Sequence, residues 1–179
     1  LDSLASQHAD LLRGRYTQLA ARAGEGLGAD NAAARRLRNL CLGRLARIET
    51  GGERAVAHYR AAGGLTDRLA ALATLVHRGH APAAGLLREF ARRHADDALM
   101  TDKWLALLAT APRAGAVDTL ATVLAGRYWQ PANPNRVRAI LANLVRNNVP
   151  AFHRADGRGY ALFFDALPAL DKINPQVSA

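Results

Sequence analysis

Thr66-Asp67-Arg68-Leu69-Ala70-Ala71-Leu72 resembles Thr101-Asp102-Lys103-Trp104-Leu105-Ala106-Leu107, thirty-five residues further on. Counting back by the same interval from Thr66 reaches Asn31. Counting forward thirty-four from Thr101 reaches Asn135. Both positions are predicted to lie in the first turn of a helix. A unit of this length holds two helices and cannot bury its apolar face alone, so neighbouring units must stack. The identity between units is thin, and it is the period that constrains the fold.

The segments between these marks read as helix throughout. Leu4, Leu11, Leu12, Tyr16 and Leu19 share one face, and Gly24-Glu25-Gly26-Leu27-Gly28 is expected to end that helix. A second helix opens at Asp30 or Asn31, carries Leu37, Leu40, Cys41, Leu45 and Ile48, and is expected to stop at Gly51-Gly52. A short helix through Val56 and Tyr59 follows. Thr66 is expected to cap the next helix, with Leu69, Leu72, Leu75 and Val76, and Gly79 to close it. Pro82 opens a helix with Leu86, Leu87 and Phe90. Asp96 or Asp97 opens another with Met100, Trp104, Leu107 and Leu108. A shorter helix carries Val117, Leu120 and Leu124. Asn133-Pro134 is the clearest start signal, a capping side chain followed by a proline in the first turn. Val137, Ile140, Leu141, Leu144 and Val145 then form an apolar stripe. Asn147-Asn148-Val149-Pro150 should break the helix, and Asp156-Gly157-Arg158-Gly159 should turn. A last helix from Tyr160 should kink or end at Pro168.

The expected fold is therefore all-α: a superhelical stack of antiparallel helix pairs, an α–α solenoid of the HEAT or armadillo kind. Residues 1–179 are expected to form a single helical-repeat domain. Neither end carries the polar cap a stack needs, and the chain starts at Leu1 without a methionine or a charged-then-apolar leader. A fragment of a longer domain is expected to look this way. No apolar run approaches the roughly eighteen residues of a membrane-spanning helix. The lone Cys41 excludes a disulfide framework or a multi-cysteine metal site within the chain.

The formal charge of +9 invites a nucleic-acid reading, in which a free-standing helical-repeat module binds nucleic acid or protein. The arginines, however, are spread along the chain, in pairs at most. All but Lys103 and Lys172 of the 24 basic residues are arginine. With abundant alanine, that balance is the mark of a GC-rich genome, and totals point to a ligand less than patches do.

Chemistry-bearing patterns are sparse. His77, His80 and His94 could suggest a metal site, but Gly79 interrupts the helix between the first two and no carboxylate spacing accompanies them, so surface histidines are the expectation. No histidine is followed by glutamate, so His-Glu-x-x-His is missing. Cys41 is expected to act as a small buried hydrophobe. Asp96-Asp97 reads as a cap. Phe90 and Trp104 read as core.

Longer strings carry more. Leu37-Arg38-Asn39-Leu40-Cys41-Leu42, Asp102-Lys103-Trp104, Asn133-Pro134-Asn135-Arg136-Val137-Arg138, Phe152-His153, Asp156-Gly157-Arg158-Gly159-Tyr160 and Asn174-Pro175-Gln176-Val177 follow in order along the chain. Together with the Thr66–Leu72 string they resemble the C-terminal helical domain of bacterial aminopeptidase N, the alanyl aminopeptidase family of gluzincin zinc peptidases. The resemblance covers essentially the whole chain.

The resemblance implies a non-catalytic domain of a cytoplasmic bacterial enzyme that removes N-terminal residues from peptides. The domain would enclose the active-site chamber and limit peptide access. Its partners would be the catalytic domain of the same enzyme and peptide substrates, with no membrane contact. Zinc would be held in that catalytic domain, which has the His-Glu-x-x-His and Gly-x-Met-Glu-Asn motifs this chain lacks; the chain itself would hold no cofactor and no catalytic residue. The resemblance places Arg136, Arg138 and Gln176 near the chamber wall. Arg138 is the best candidate to meet a peptide's C-terminal carboxylate, which a guanidinium fits bidentately. The alternative has Arg136 and Arg138 holding helix ends or pairing with acids of neighbouring repeats. Two residues apart on a helix, they cannot both face the chamber.

Overall fold

The computed structural model describes residues 2–22, 29–113 and 115–173. Among them there are only helices, turns and loops. The chain divides into two compact units, Leu1–Leu86 and Leu87–Ala179.

In the first unit, α1 (Asp2–Gln7) and α2 (Ala9–Arg22) pack on α3 (Ala29–Leu45), and α4 (Glu53–Ala61) packs on α5 (Leu65–Arg78), which also meets α3. The expected face of the first helix is only partly covered: Leu19 is buried, but Leu4 and Leu11 are 56% and 67% exposed. In α3 the buried positions are Ala34, Cys41, Leu42 and Leu45, while Leu37 and Leu40 stay exposed. The core face of α3 thus lies about one residue past the face the sequence suggests. The helix also stops at Leu45, before the glycines, where Arg47 N–H and Ile48 N–H tighten into three-residue turns on Arg44 O and Leu45 O. In α5 the positions 67, 71, 72, 75 and 76 are buried, one face at helical spacing. Thr66 is not its cap. The helix starts one residue earlier, after Gly64, and no side chain caps it. Gly79 closes it in the left-handed region (φ 68°), with its N–H on Leu75 O and Val76 O, as expected.

Helix α6 (Ala83–Arg93) begins directly after Pro82 and buries Ala83, Leu86, Leu87 and Phe90. In the second unit, α7 (Ala98–Thr110) starts at Asp97, whose carboxylate accepts Met100 N–H at 3.1 Å. It packs on α8 (Ala116–Leu124) and on a helix made of α9 (Pro134–Val137), a π-helical turn Arg138–Ala142 and α10 (Asn143–Asn147). Ile140 and Leu144 are fully enclosed, each worth about 1.5–3 kcal/mol of burial. Asn148 breaks this helix and is itself buried, donating from Nδ2 to Ala109 O and Ala111 O at 2.9 Å each. A short α11 (Val149–Phe152) follows, then α12 (Arg158–Ile173).

Pro168 does not end α12, which runs five residues beyond it. Proline leaves the Phe164 carbonyl without its donor, but both residues are exposed, so water can take that carbonyl. Tyr160, Phe164 and Ile173 of α12 remain exposed, Phe164 at 58%. The expected turn at 24–28 and the string at 174–177 lie outside the described residues. No helix is long and apolar enough to cross a membrane, among the described residues.

Candidate functional site

The Asn133-Pro134 start signal sets the geometry around Arg136. Asn133 Oδ1 accepts Asn135 N–H at 3.0 Å and Arg136 N–H at 3.3 Å, so α9 begins in a fixed orientation. Arg136 then turns inward and is only 3% exposed. Its Nε donates to Asp102 Oδ1 on α7, and its Nη1 donates to Tyr128 O at 3.0 Å. The guanidinium forms one wall of a cleft of about 240 Å³ that Thr101, Arg127, Tyr128 and Gln130 also line. Tyr128 meets Trp104 edge-on at 5.0 Å and carries Arg127 over its ring at 4.8 Å. Trp104 is half-buried against Tyr128, while Phe90 is core.

Arg138, two residues on, points the other way and is exposed. It opens the π-helical turn. Widening a turn leaves carbonyls short of their usual donors. Asn143 supplies them: its N–H reaches Arg138 O, and its Nδ2 reaches Arg138 O and Ala139 O at 3.2 Å each. The backbone around Arg138 is thus fixed while its side chain is free to meet solvent. The structure separates the two arginines as their spacing requires, Arg136 in and Arg138 out. Gln176 lies outside the described residues.

The first unit repeats the acid. Asp67, equivalent to Asp102 by the thirty-five-residue period, is buried on α5. It accepts from Arg38 Nη2 at 2.5 Å and from Asn39 Nδ2 at 2.9 Å, both on α3. His58 on α4 lies beyond it, 5% exposed, with Nε2 3.9 Å from Asp67 Oδ1, too long for a hydrogen bond. Its Nδ1 is hydrogen-bonded to the Tyr16 hydroxyl at 2.7 Å, and Arg54 lies over the Tyr16 ring. Burial, helped by the Arg38 charge and opposed by Asp67, holds the His58 pKa below its ordinary value. The unfolded chain therefore binds the proton first as the pH falls. The stability His58 contributes is complete above the ordinary histidine range and is lost below it, down to the folded pKa. We expect the free energy of urea unfolding to fall between pH 7.5 and 5.5, and His58→Gln to flatten that slope. An unchanged slope would remove His58 as its source.

These groups do not make a metal centre. No group of three His, Cys, Asp or Glu that could hold a metal occurs among the described residues. His80 Nδ1 is engaged by Thr50 O at 3.1 Å, and His94 stacks on Phe90. His77 is exposed, whereas His80 and His94 are half-buried, a correction to three surface histidines. Cys41 is buried and its thiol pKa is pushed up by desolvation, as suits a small hydrophobe. The acids at 67 and 102 were marked in the sequence by the repeat itself. Their arginine partners were not, because Arg38 precedes its acid and Arg136 follows its own.

The family described as a domain of unknown function (DUF3458_C) with ARM repeats matches residues 1–179. Aminopeptidase N of Haemophilus influenzae is 35% identical over 147 residues, which is 82% of this chain and 17% of that protein. Aminopeptidase N of Escherichia coli is 34% identical over 152 residues, covering 84% of this chain and 18% of that protein. The chain thus spans under a fifth of the length of these curated relatives. A crystal structure of Legionella pneumophila aminopeptidase A in complex with aspartic acid superposes with a TM-score of 0.87 at 23% identity. It covers 99% of this chain and 22% of the other, a likeness of fold.

Proposed function

The chain belongs to the DUF3458_C family of ARM-repeat domains, and from that premise we propose that it is the non-catalytic C-terminal domain of a bacterial, cytoplasmic zinc aminopeptidase. One observation carries the reading: more than four-fifths of the chain aligns with aminopeptidase N of two bacteria, yet fills under a fifth of each. Such a segment is one part of a larger peptidase. The residues described here do not fit a zinc site, so the metal of the proposal belongs to the catalytic domain and no step is routed through this chain.

In this reading residues 1–179 form one helical-repeat domain that closes the active-site chamber and limits which peptides reach it. The exposed apolar side chains Leu4 and Leu11 in the first unit, and Tyr160 and Phe164 in the second, would lie against further parts of the enzyme. Arg138 is proposed to take the peptide carboxylate, with Gln176 nearby. Arg136, held by Asp102, fixes the helix that carries Arg138. The nucleic-acid alternative is weaker, because seven arginines of the two units are already in ion pairs with acids.

The test mixes the chain with the separately expressed catalytic portion and follows hydrolysis of an alanyl chromogenic substrate and of longer peptides. The chain alone should show no hydrolysis, and the mixture should change its selectivity for peptide length. Arg138→Ala should raise KM for tripeptides about ten-fold, the worth of one charge-assisted contact, and leave the chromogenic substrate unaffected. Zinc-dependent hydrolysis by the purified chain alone, or a mixture indistinguishable from the catalytic portion, would overturn the reading.

A further inference from the structure

Helices α3 and α5 of the first unit enclose a groove of about 380 Å³ whose lining is basic and, among the described residues, carries no acid. Arg44, Arg47, His77 and Arg78 line it, Gly43 forms part of its wall, and Leu40, half exposed, offers an apolar edge. A Cβ built at Gly43 meets nothing within 4 Å, so there is open space beside it. Among the described residues the side chains of Arg44 and Arg78 are in no ion pair or hydrogen bond. The groove already attracts one carboxylate: Asp2 of α1 pairs with Arg47. That hydrogen bond, with the fields of Arg47 and Arg78, holds the Asp2 carboxyl below its ordinary range.

Cations at helix C-termini have a local cause, since each terminus carries about half a negative charge. The ends of α3 and α5 and the Asp2 carboxylate offset part of the three arginines and still leave roughly +1 in the groove. Two guanidiniums thus stay available. Among the described residues no Phe, Tyr or Trp lines the groove for base stacking, and the cations cluster instead of forming a long stripe, so a nucleic acid is a poor fit.

We propose that the groove between α3 and α5 is a binding site for a peptide segment carrying two or more carboxylates. One carboxylate meets Arg44, another meets Arg78, and the stem between them lies along Leu40 and Gly43. This site is built from residues of the first unit alone and does not depend on the aminopeptidase reading.

The test is fluorescence anisotropy of labelled hexaglutamate against the full 179-residue chain, with labelled hexalysine as control. Hexaglutamate should bind and hexalysine should not. Arg44→Glu/Arg78→Glu should weaken binding at least about ten-fold, as reversal turns attraction into repulsion. Arg146→Glu, a charge reversal in the second unit, should change it less than about two-fold. Gly43→Phe fills the groove without touching its charge and should also weaken binding. It keeps the test decisive if the double reversal does not fold by thermal melting. The proposal is overturned by no hexaglutamate binding, by an equal loss in Arg146→Glu, or by undiminished binding in Gly43→Phe. Displacement by inorganic phosphate as effective as by unlabelled hexaglutamate would also overturn it, because it would show nonspecific attraction of anions.

Discussion

Asp102→Ala should lower the free energy of unfolding by about 3–5 kcal/mol, the loss expected when one partner of a buried ion pair is removed. The Asp102 and Arg136 side chains are 15% and 4% exposed, so water reaches neither freely. Arginine cannot shed its proton at any ordinary pH, so the variant must either hold an unpaired guanidinium inside the second unit or expel it. The Tyr128 carbonyl would remain to Arg136, but a neutral acceptor replaces only part of what a carboxylate supplies. Expulsion would pull α9 from α7 and disturb the start that Asn133 sets. Removing both charges should be far gentler. Asp102→Leu/Arg136→Met should recover most of the lost stability, because matched apolar side chains avoid the desolvation cost. Urea unfolding, followed by the fluorescence of Trp104 and Trp129, measures both. A loss under about 1 kcal/mol in Asp102→Ala would mean that the pair is hydrated in solution and does not hold α9. Total stabilities of domains this size are about 5–15 kcal/mol, so the single variant can leave much of the second unit unfolded at room temperature.

The contrast between Asn133 and Arg136 shows what a single sequence can reveal. Asn133, Asp97 and Gly79 act within four residues of themselves, through caps whose geometry the local residues dictate, and all three do what their types predict. Thr66 fails by the same logic, because Gly64 two residues earlier already lets the chain enter the helix. The π-helical turn leaves no mark in the apolar spacing of Val137, Ile140 and Leu141, the last two of which it carries inside the core. Pro168 does not end α12, because its effect depends on whether the freed carbonyl meets protein or water, which only the packed structure decides. The long-range groups were the least legible. The repeat marks Asp67 and Asp102 as equivalent, yet one is held from α3 and the other from α9. Nothing in the spacing says that Tyr16, His58 and Asp67 converge in the first unit. The likeness of strings pointed to a family and a fold, and the family match over residues 1–179 bears that out.

Two glycine-to-alanine changes in helices should move stability in opposite directions. Gly43 lies within α3, and its added methyl would enter open space. Gly43→Ala should therefore stabilise by about 0.5–1 kcal/mol, from helix propensity alone. Gly159, in the first turn of α12, is buried against α11. A Cβ there would fall 2.2 Å from Phe152 O and 2.6 Å from Ala151 O. Both obstacles are backbone atoms, so no rotamer change can clear them, and α11 and α12 must part. Overpacking of this kind costs about 1–3 kcal/mol, and with a carbonyl in the way the upper end is expected. Alanine's better helix propensity returns less than about 1 kcal/mol at a first-turn position. Separation would also loosen the ring contacts of Phe152 with Tyr160 and Phe163 and the 2.6 Å bond between His153 and the Tyr160 hydroxyl. Gly159→Ala should thus lose about 2–3 kcal/mol net in urea unfolding. Two variants of the same chemistry then differ by about 3 kcal/mol because of what lies beyond the methyl. If Gly159→Ala leaves stability unchanged or raises it, the close approach of α12 to Phe152 O does not exist in solution.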